Sequence, residues 1–147
     1  MKVAIGSDHG GFHLKNNIMQ LLDEQGISFQ DYGVFTTDSV DYPDISSSVA
    51  RAVTSGECDR GIIICGTGIG VCIAANKIKG IRAALCHDIF SAQMSREHND
   101  ANILTLGERV IGVGPARMIV EKWLTTEFAG GRHSCRVDKI TALEEQE

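Results

Sequence analysis

The order of the sequence predicts an α/β protein: a single-domain, three-layer α/β/α sandwich around a mostly parallel sheet of five strands. Three observations carry this. Short apolar runs such as Val3-Ala4-Ile5 and Ile62-Ile63-Ile64 alternate with longer stretches whose apolar residues recur at helical spacing. No turn pair such as Asn-Gly joins neighbouring strands, so successive strands connect through crossovers instead of hairpins. The 147 residues amount to one domain, which at this size buries roughly 68–70% of the unfolded surface.

Each element follows in order. Val3-Ala4-Ile5 is the first strand, and Leu14, Ile18, Leu21 and Leu22 mark a helix that stops at Gly26, a residue suited to the left-handed turn past a helix end. Ile27 to Gln30 is the second strand. After a polar loop, Ile45, Val49 and Val53 mark a second helix ending near Gly56. Gly61 to Cys65 is the third strand, and its helix runs from about Gly70 to Lys77. Ile81 to Cys86, Asp88 to about Arg96 and Asn102 to Leu106 give strand, helix and strand. Gly114-Pro115 then opens a helix carrying Ile119, Val120, Trp123 and Leu124, with proline in the first turn, where no intrahelical amide bond is lost. A helical tail from about residue 138, solvated over Ala142 to Glu147, completes the single domain 1–147.

Bulk properties narrow the partners. A net charge of −5 and the absence of a long basic cluster argue against nucleic acid or an anionic membrane as the main partner. Neither a signal peptide nor an apolar run of the ~18 residues a membrane span needs is present, so a cytoplasmic location is expected. Five cysteines, with no C-x-x-C and no paired Cys/His spacing, suggest neither a zinc site nor a disulfide framework. Most of them read as small buried hydrophobes.

A parallel sheet binds ligands beyond the carboxyl ends of its strands. Two unusual stretches fall there: Gly6-Ser7-Asp8-His9-Gly10-Gly11 and Cys65-Gly66-Thr67-Gly68-Ile69-Gly70. The second fails the dinucleotide fingerprint, because Val71 and Ile73 stand where its last glycine would fall, and it lacks the Gly-Lys-Ser/Thr of a phosphate-binding loop. What remains is a strand, a flexible turn and a helix start, able to offer amides to an anion or simply to turn tightly. Beside it, Cys65 could be a packed cysteine or a reactive thiol. Asp8-His9 could be an acid–base pair or an N-cap and a surface histidine. His98-Asn99-Asp100 could be functional or a polar helix end. Arg132 and Arg136, four apart, suit a phosphate clamp better than a solvated turn in so acidic a chain, with Arg109 as a third member.

Taken together, Gly6 to Gly11, Asp41-Tyr42-Pro43-Asp44, Cys65 to Gly70, Ala75-Asn76-Lys77, Gly80 to Ala84, His98 to Asn102 and Gly131-Arg132-His133 resemble the family of ribose-5-phosphate isomerase B and the galactose-6-phosphate isomerase subunits. The likeness runs from about residue 1 to 137. It implies a Rossmann-like fold and an aldose–ketose isomerase acting on a small sugar phosphate, without metal or organic cofactor. By position it implies Cys65 as the base and Asp8 as the group that moves protons between the sugar oxygens. Gly66, Thr67, Gly68, Ile69 and Gly70 would hold the enediolate, and His98 would open the furanose ring. His9, Arg109, Arg132 and Arg136 would bind phosphate; Tyr42 and Asn99 would touch the sugar. One branch of the family places a glutamate where this chain has Val71, which leaves Cys65 to take the proton. The resemblance also implies a homodimer or homotetramer with shared active sites, in which His98, Asn99 and Arg109 complete a neighbour's pocket. Rival readings are a six-carbon sugar-phosphate isomerase, for allose 6-phosphate or galactose 6-phosphate, and a non-catalytic sensor of sugar phosphates or nucleotides.

Overall fold

In the computed structural model residues 1–145 are described. Five strands, β1 (Lys2–Ser7), β2 (Ser28–Asp31), β3 (Arg60–Cys65), β4 (Ala83–Leu85) and β5 (Ile103–Gly107), pair in the order β2-β1-β3-β5-β4. All pairings are parallel, so "mostly parallel" becomes wholly parallel. Six helices accompany them: α1 (Phe12–Glu24), α2 (Tyr42–Thr54), α3 (Ile69–Ala75), α4 (Ile89–Glu97), α5 (Val113–Thr125) and α6 (Arg132–Leu143).

The alternation of side chains along each strand sorts the core into two layers. Val3, Ile5, Ile62, Ile64, Leu104 and Leu106 face one way, against α1, α4 and α5 and around the fully buried Trp123. Ala4, Ile63, Cys65 and Ile103 face the other way, against α2 and α3. The central strands are therefore continuous apolar runs, as a parallel sheet covered on both faces requires.

Most boundaries shift by one or two residues from the sequence reading, and two differ for a physical reason. The fourth strand shortens to three residues because it lies at the sheet edge, where the side chain of Asn76 takes the place of a further strand. The Asn76 amide accepts from Ala83 N–H at 2.8 Å and donates to its carbonyl at 3.0 Å, which blunts that edge against pairing with another chain. The last helix begins at Arg132, earlier than the expected start near 138. It buries only His133 and Val137, too sparse an apolar pattern to register as a periodic face. Nor is its end wholly free: the Glu144 carboxylate accepts from Gly80 N–H at 3.0 Å. The final two residues of the expected tail lie outside the described residues.

A buried ion pair, not anticipated, fixes the chain where β2 ends. Lys15 is 1% exposed, yet its ammonium donates to both Asp31 carboxylate oxygens at 2.8 and 2.9 Å and to the Val34 carbonyl at 2.6 Å. All three of its donors are satisfied, which is the condition for burying such a charge.

Candidate active site

β1 and β3 run side by side, and the chain leaves them in different directions, to β2 on one side and towards β4 and β5 on the other. The crevice of a parallel sheet opens at such a reversal. The two predicted loops meet there: Asp8 N–H donates to the Ile64 carbonyl at 3.2 Å, and a Cβ on Gly10 would stand 3.1 Å from the Gly66 nitrogen.

Cys65 closes β3 and is 5% exposed. Its Sγ accepts the Gly68 N–H at 3.0 Å, a donor that would complement negative charge on sulfur. The loop that brings this amide back is held from behind. Gly68 adopts a φ of +77°, and a Cβ there would stand 2.5 Å from Leu85 Cδ1 and 2.8 Å from the Leu106 carbonyl carbon. Only glycine meets both demands. The buried Thr105 hydroxyl donates to the Gly68 carbonyl at 3.0 Å. Within the loop, the Ile69 amide is occupied by Thr67 Oγ1 at 3.3 Å. Of the five predicted anion donors, the amides of Gly68 and Ile69 thus have internal partners, leaving those of Gly66, Thr67 and Gly70 for a ligand.

Around the thiol the other residues of this end are placed by their own elements. Asp8 is buried and its carboxylate accepts from Gly10 N–H at 2.8 Å, capping a single 3-10 turn at His9–Gly11. The capping reading is thus correct for Asp8 Oδ1. His9 is exposed, and its Nδ1 accepts from Val40 N–H at 3.3 Å, so in the neutral ring the proton sits on Nε2 and can be donated outward. Tyr42 opens α2 with its ring on the glycine loop; a Cβ on Gly70 would stand 2.6 Å from Tyr42 Cζ. Arg109 donates its backbone N–H to the Gly66 carbonyl at 3.0 Å, and its side chain lies against Gly66. Arg109, itself exposed, therefore stands beside its own chain's Gly66.

The remaining predicted residues are elsewhere. α4 runs back across the sheet, so His98, at its C-terminal cap, belongs to the amino edge of the strands. The turn it begins is tied there: Gly61 N–H donates to the Asn102 carbonyl at 2.9 Å, while Arg82 and Arg96 bind Asp100 at 3.3 and 2.8 Å. Gly61 to Cys65 at ~3.3 Å per residue is a rise of roughly 13 Å. Within one chain, His98 and exposed Asn99 therefore do not meet the thiol. Arg132 and Arg136 share the first turns of α6, both exposed, with His133 buried between them. His133 stacks on His98 with ring centroids 4.2 Å apart. Burial first, then His98 and the two arginines, hold the His133 imidazole below the usual histidine range. The predicted site residues thus fall into two groups, at opposite ends of the sheet.

A family model described as Ribose/Galactose Isomerase matches residues 3–140. The chain belongs to the ribose/galactose isomerase family. It is 51% identical to ribose-5-phosphate isomerase B of Escherichia coli (strain K12) over 145 residues, 99% of this chain and 97% of that one. It is 45% identical to a D-erythrulose-4-phosphate isomerase of Pectobacterium atrosepticum, covering 100% of this chain and 97% of that one. A solved structure of Clostridium thermocellum ribose-5-phosphate isomerase B superposes with a TM-score of 0.98 at 58% identity, over 99% of each chain.

Some supports of this isomerase-family site carried no sequence signal. Glu108 accepts from Leu14 N–H at 2.8 Å, capping α1 from 94 residues away. His87 Nε2 accepts from Gly107 N–H at 3.0 Å, and desolvation holds that imidazole below its ordinary range, so it serves as a neutral acceptor. Gly107 in turn lies against Thr67. Spacing alone identifies none of these partners. Only the strand-end position of Gly107-Glu108, after β5, is a usable hint.

Proposed function

We propose that the chain interconverts D-ribose 5-phosphate and D-ribulose 5-phosphate through an enediolate. The observation that carries this is the buried Cys65 Sγ at the end of β3, held by the Gly68 amide beside a loop with amides to spare. The identity to E. coli ribose-5-phosphate isomerase B supports the substrate. His98 opens the furanose. The Cys65 thiolate takes the proton from C2, alpha to the C1 aldehyde, and the electron pair moves onto O1. The Gly66, Thr67 and Gly70 amides hold the enediolate charge, a kind of contact typically worth roughly 3–4 kcal/mol per donor in the barrier. Asp8 moves a proton from O2 to O1, and Cys65 returns its proton to C1. Atoms and electrons balance within the substrate, so the step draws on no external oxidant or reductant.

Phosphate is held by His9, Arg109, Arg132 and Arg136, and the sugar touches Tyr42 and Asn99. Because the arginines of α6 and His98 stand at the far edge of the sheet, a second copy must bring its amino edge to this chain's Cys65. The assembly is a homodimer or homotetramer with shared sites. We place it in the cytoplasm, where its five free cysteines would stay reduced; no described helix is long and apolar enough to cross a membrane.

The 45% identity to a D-erythrulose-4-phosphate isomerase favours one second reading, a shorter substrate. A panel of ribose 5-phosphate, erythrulose 4-phosphate, allose 6-phosphate and galactose 6-phosphate, with the purified chain, separates these. The expected result is the highest kcat/KM on ribose 5-phosphate. A higher value on a four- or six-carbon phosphate overturns the substrate assignment, and binding without turnover on all of them supports the sensor instead.

A further inference from the structure

His98 and His133 come from elements that no strand pairing joins, yet their rings lie face to face. The centroids are 4.2 Å apart and the planes differ by 12°. His133 is 8% exposed on the inner side of α6, while His98 is half-buried at the end of α4. A second contact fixes the two segments, since Ala129 N–H donates to the Glu97 carbonyl at 3.0 Å. We infer that His133 is a positioning residue for His98: the stack fixes the plane of the His98 ring, and with it the direction in which its nitrogens can give and take protons. The inference rests on the ring-opening role proposed for His98.

The reasoning is steric and electrostatic. A histidine at a helix end has several side-chain rotamers open to it, and a flat partner against its face removes most of them. Such a stack is stable only if the two rings do not both carry charge. The groups facing His133 are His98 and Glu97 from α4 and Arg132 and Arg136 from its own helix. Three of the four are cationic or can become so, which disfavours a proton on His133 and leaves it as a neutral platform. His133 faces inward from the turn of α6 whose outer side carries Arg132 and Arg136, so one turn sets both the proposed clamp and the ring plane.

The chemistry of the substrate supplies the test. Ribose 5-phosphate closes through O4 to a furanose, whereas ribulose 5-phosphate carries phosphate on the oxygen it would need and stays open. Exchange of the C1 hydrogen of ribulose 5-phosphate with solvent deuterium therefore reports proton abstraction without any ring step. For His133→Ala we expect turnover of ribose 5-phosphate to fall roughly 10-fold, below the 10²–10⁴ typical of an acid–base residue itself, while C1 exchange and KM stay within about twofold. His133→Phe, which restores a flat face without a titrating group, should recover most of the turnover. Equal loss in the alanine and phenylalanine variants overturns the inference, as does loss of turnover and exchange together, a change confined to KM, or no loss at all. His98→Ala separates the premise: it should abolish most turnover and keep exchange. Full turnover by that variant overturns the ring-opening role itself.

Discussion

The two ends of the sheet are built by different means. At the carboxyl end the functional groups sit on strand termini and a glycine loop packed against backbone: Cys65 is 5% and Asp8 8% exposed, and every turn around them has a named partner. At the amino end Asn99, Arg132 and Arg136 stand exposed on helix termini, and only His133 is buried. Cys65 and Asp8, proposed to move protons on the sugar carbons and oxygens, are fixed by the core of their own chain. Arg132 and Arg136, proposed to grip the phosphate, are left on the surface. The contrast is what the proposed division of a site between two copies would require, because the exposed half must remain free until the copies meet.

The largest test of that contrast is Cys65→Ala. Removing the base should lower kcat on ribose 5-phosphate by roughly 10²–10⁴, with the thermal melt lower by only the few degrees that an unpaired Gly68 N–H costs; near-wild-type turnover would mean the carboxyl end is not the reacting end. Next in size is Lys15→Met, which strands the Asp31 carboxylate beside the 1%-exposed site. Breaking a buried pair in this way costs about 3–5 kcal/mol, measurable as a lower urea midpoint. A change under a tenth of that would show the carboxyl end to be less firmly built than described.

A third test sharpens the division itself. Arg132→Ala and Arg136→Ala should each raise KM roughly 10-fold, as expected for a lost charge-assisted bond, with kcat little changed. Mixing Cys65→Ala chains with His98→Ala chains, each of which should have lost most turnover, after reversible dissociation then asks where the halves belong. If sites are shared, half the random dimers are mixed and each holds one intact site, so about a quarter of wild-type activity returns. Were each chain's own halves sufficient, none would. The smallest effect is acid sensitivity. His87 and His133 both titrate below the ordinary histidine range in the folded chain. The unfolded chain binds those protons near pH ~6.5, so stability should be constant above that pH and decline as pH falls through it. Urea midpoints between pH 8 and 5.5 measure this, and His87→Gln, which keeps an acceptor for Gly107 without binding a proton, should flatten the slope.

Much of the carboxyl end was legible in the sequence because it is local. Asp8 follows one apolar strand and Cys65 ends another, and the rule that parallel sheets bind ligands at strand ends points to both loops, while the roles of the two residues rest on the family resemblance. The supports were not legible, since Glu108 caps Leu14 across 94 residues and Thr105 reaches the Gly68 carbonyl across 37. The stack of His98 on His133 was equally hidden, for α6 buries too few apolar residues to show its inner face.

The sequence by itself determined the alternating strands and helices, the layers they form and the two loops that carry the candidate reacting groups. These depend on periodicity and on residues adjacent in the chain. Tertiary structure alone decided the strand order, the ion pair under β2 and the separation of thiol from arginines by the length of a strand. Those depend on which distant segments meet, and a linear pattern of hydrophobicity is indifferent to that. Arg109 shows the difference most plainly: its type suggested phosphate, but only the fold put it beside its own chain's Gly66.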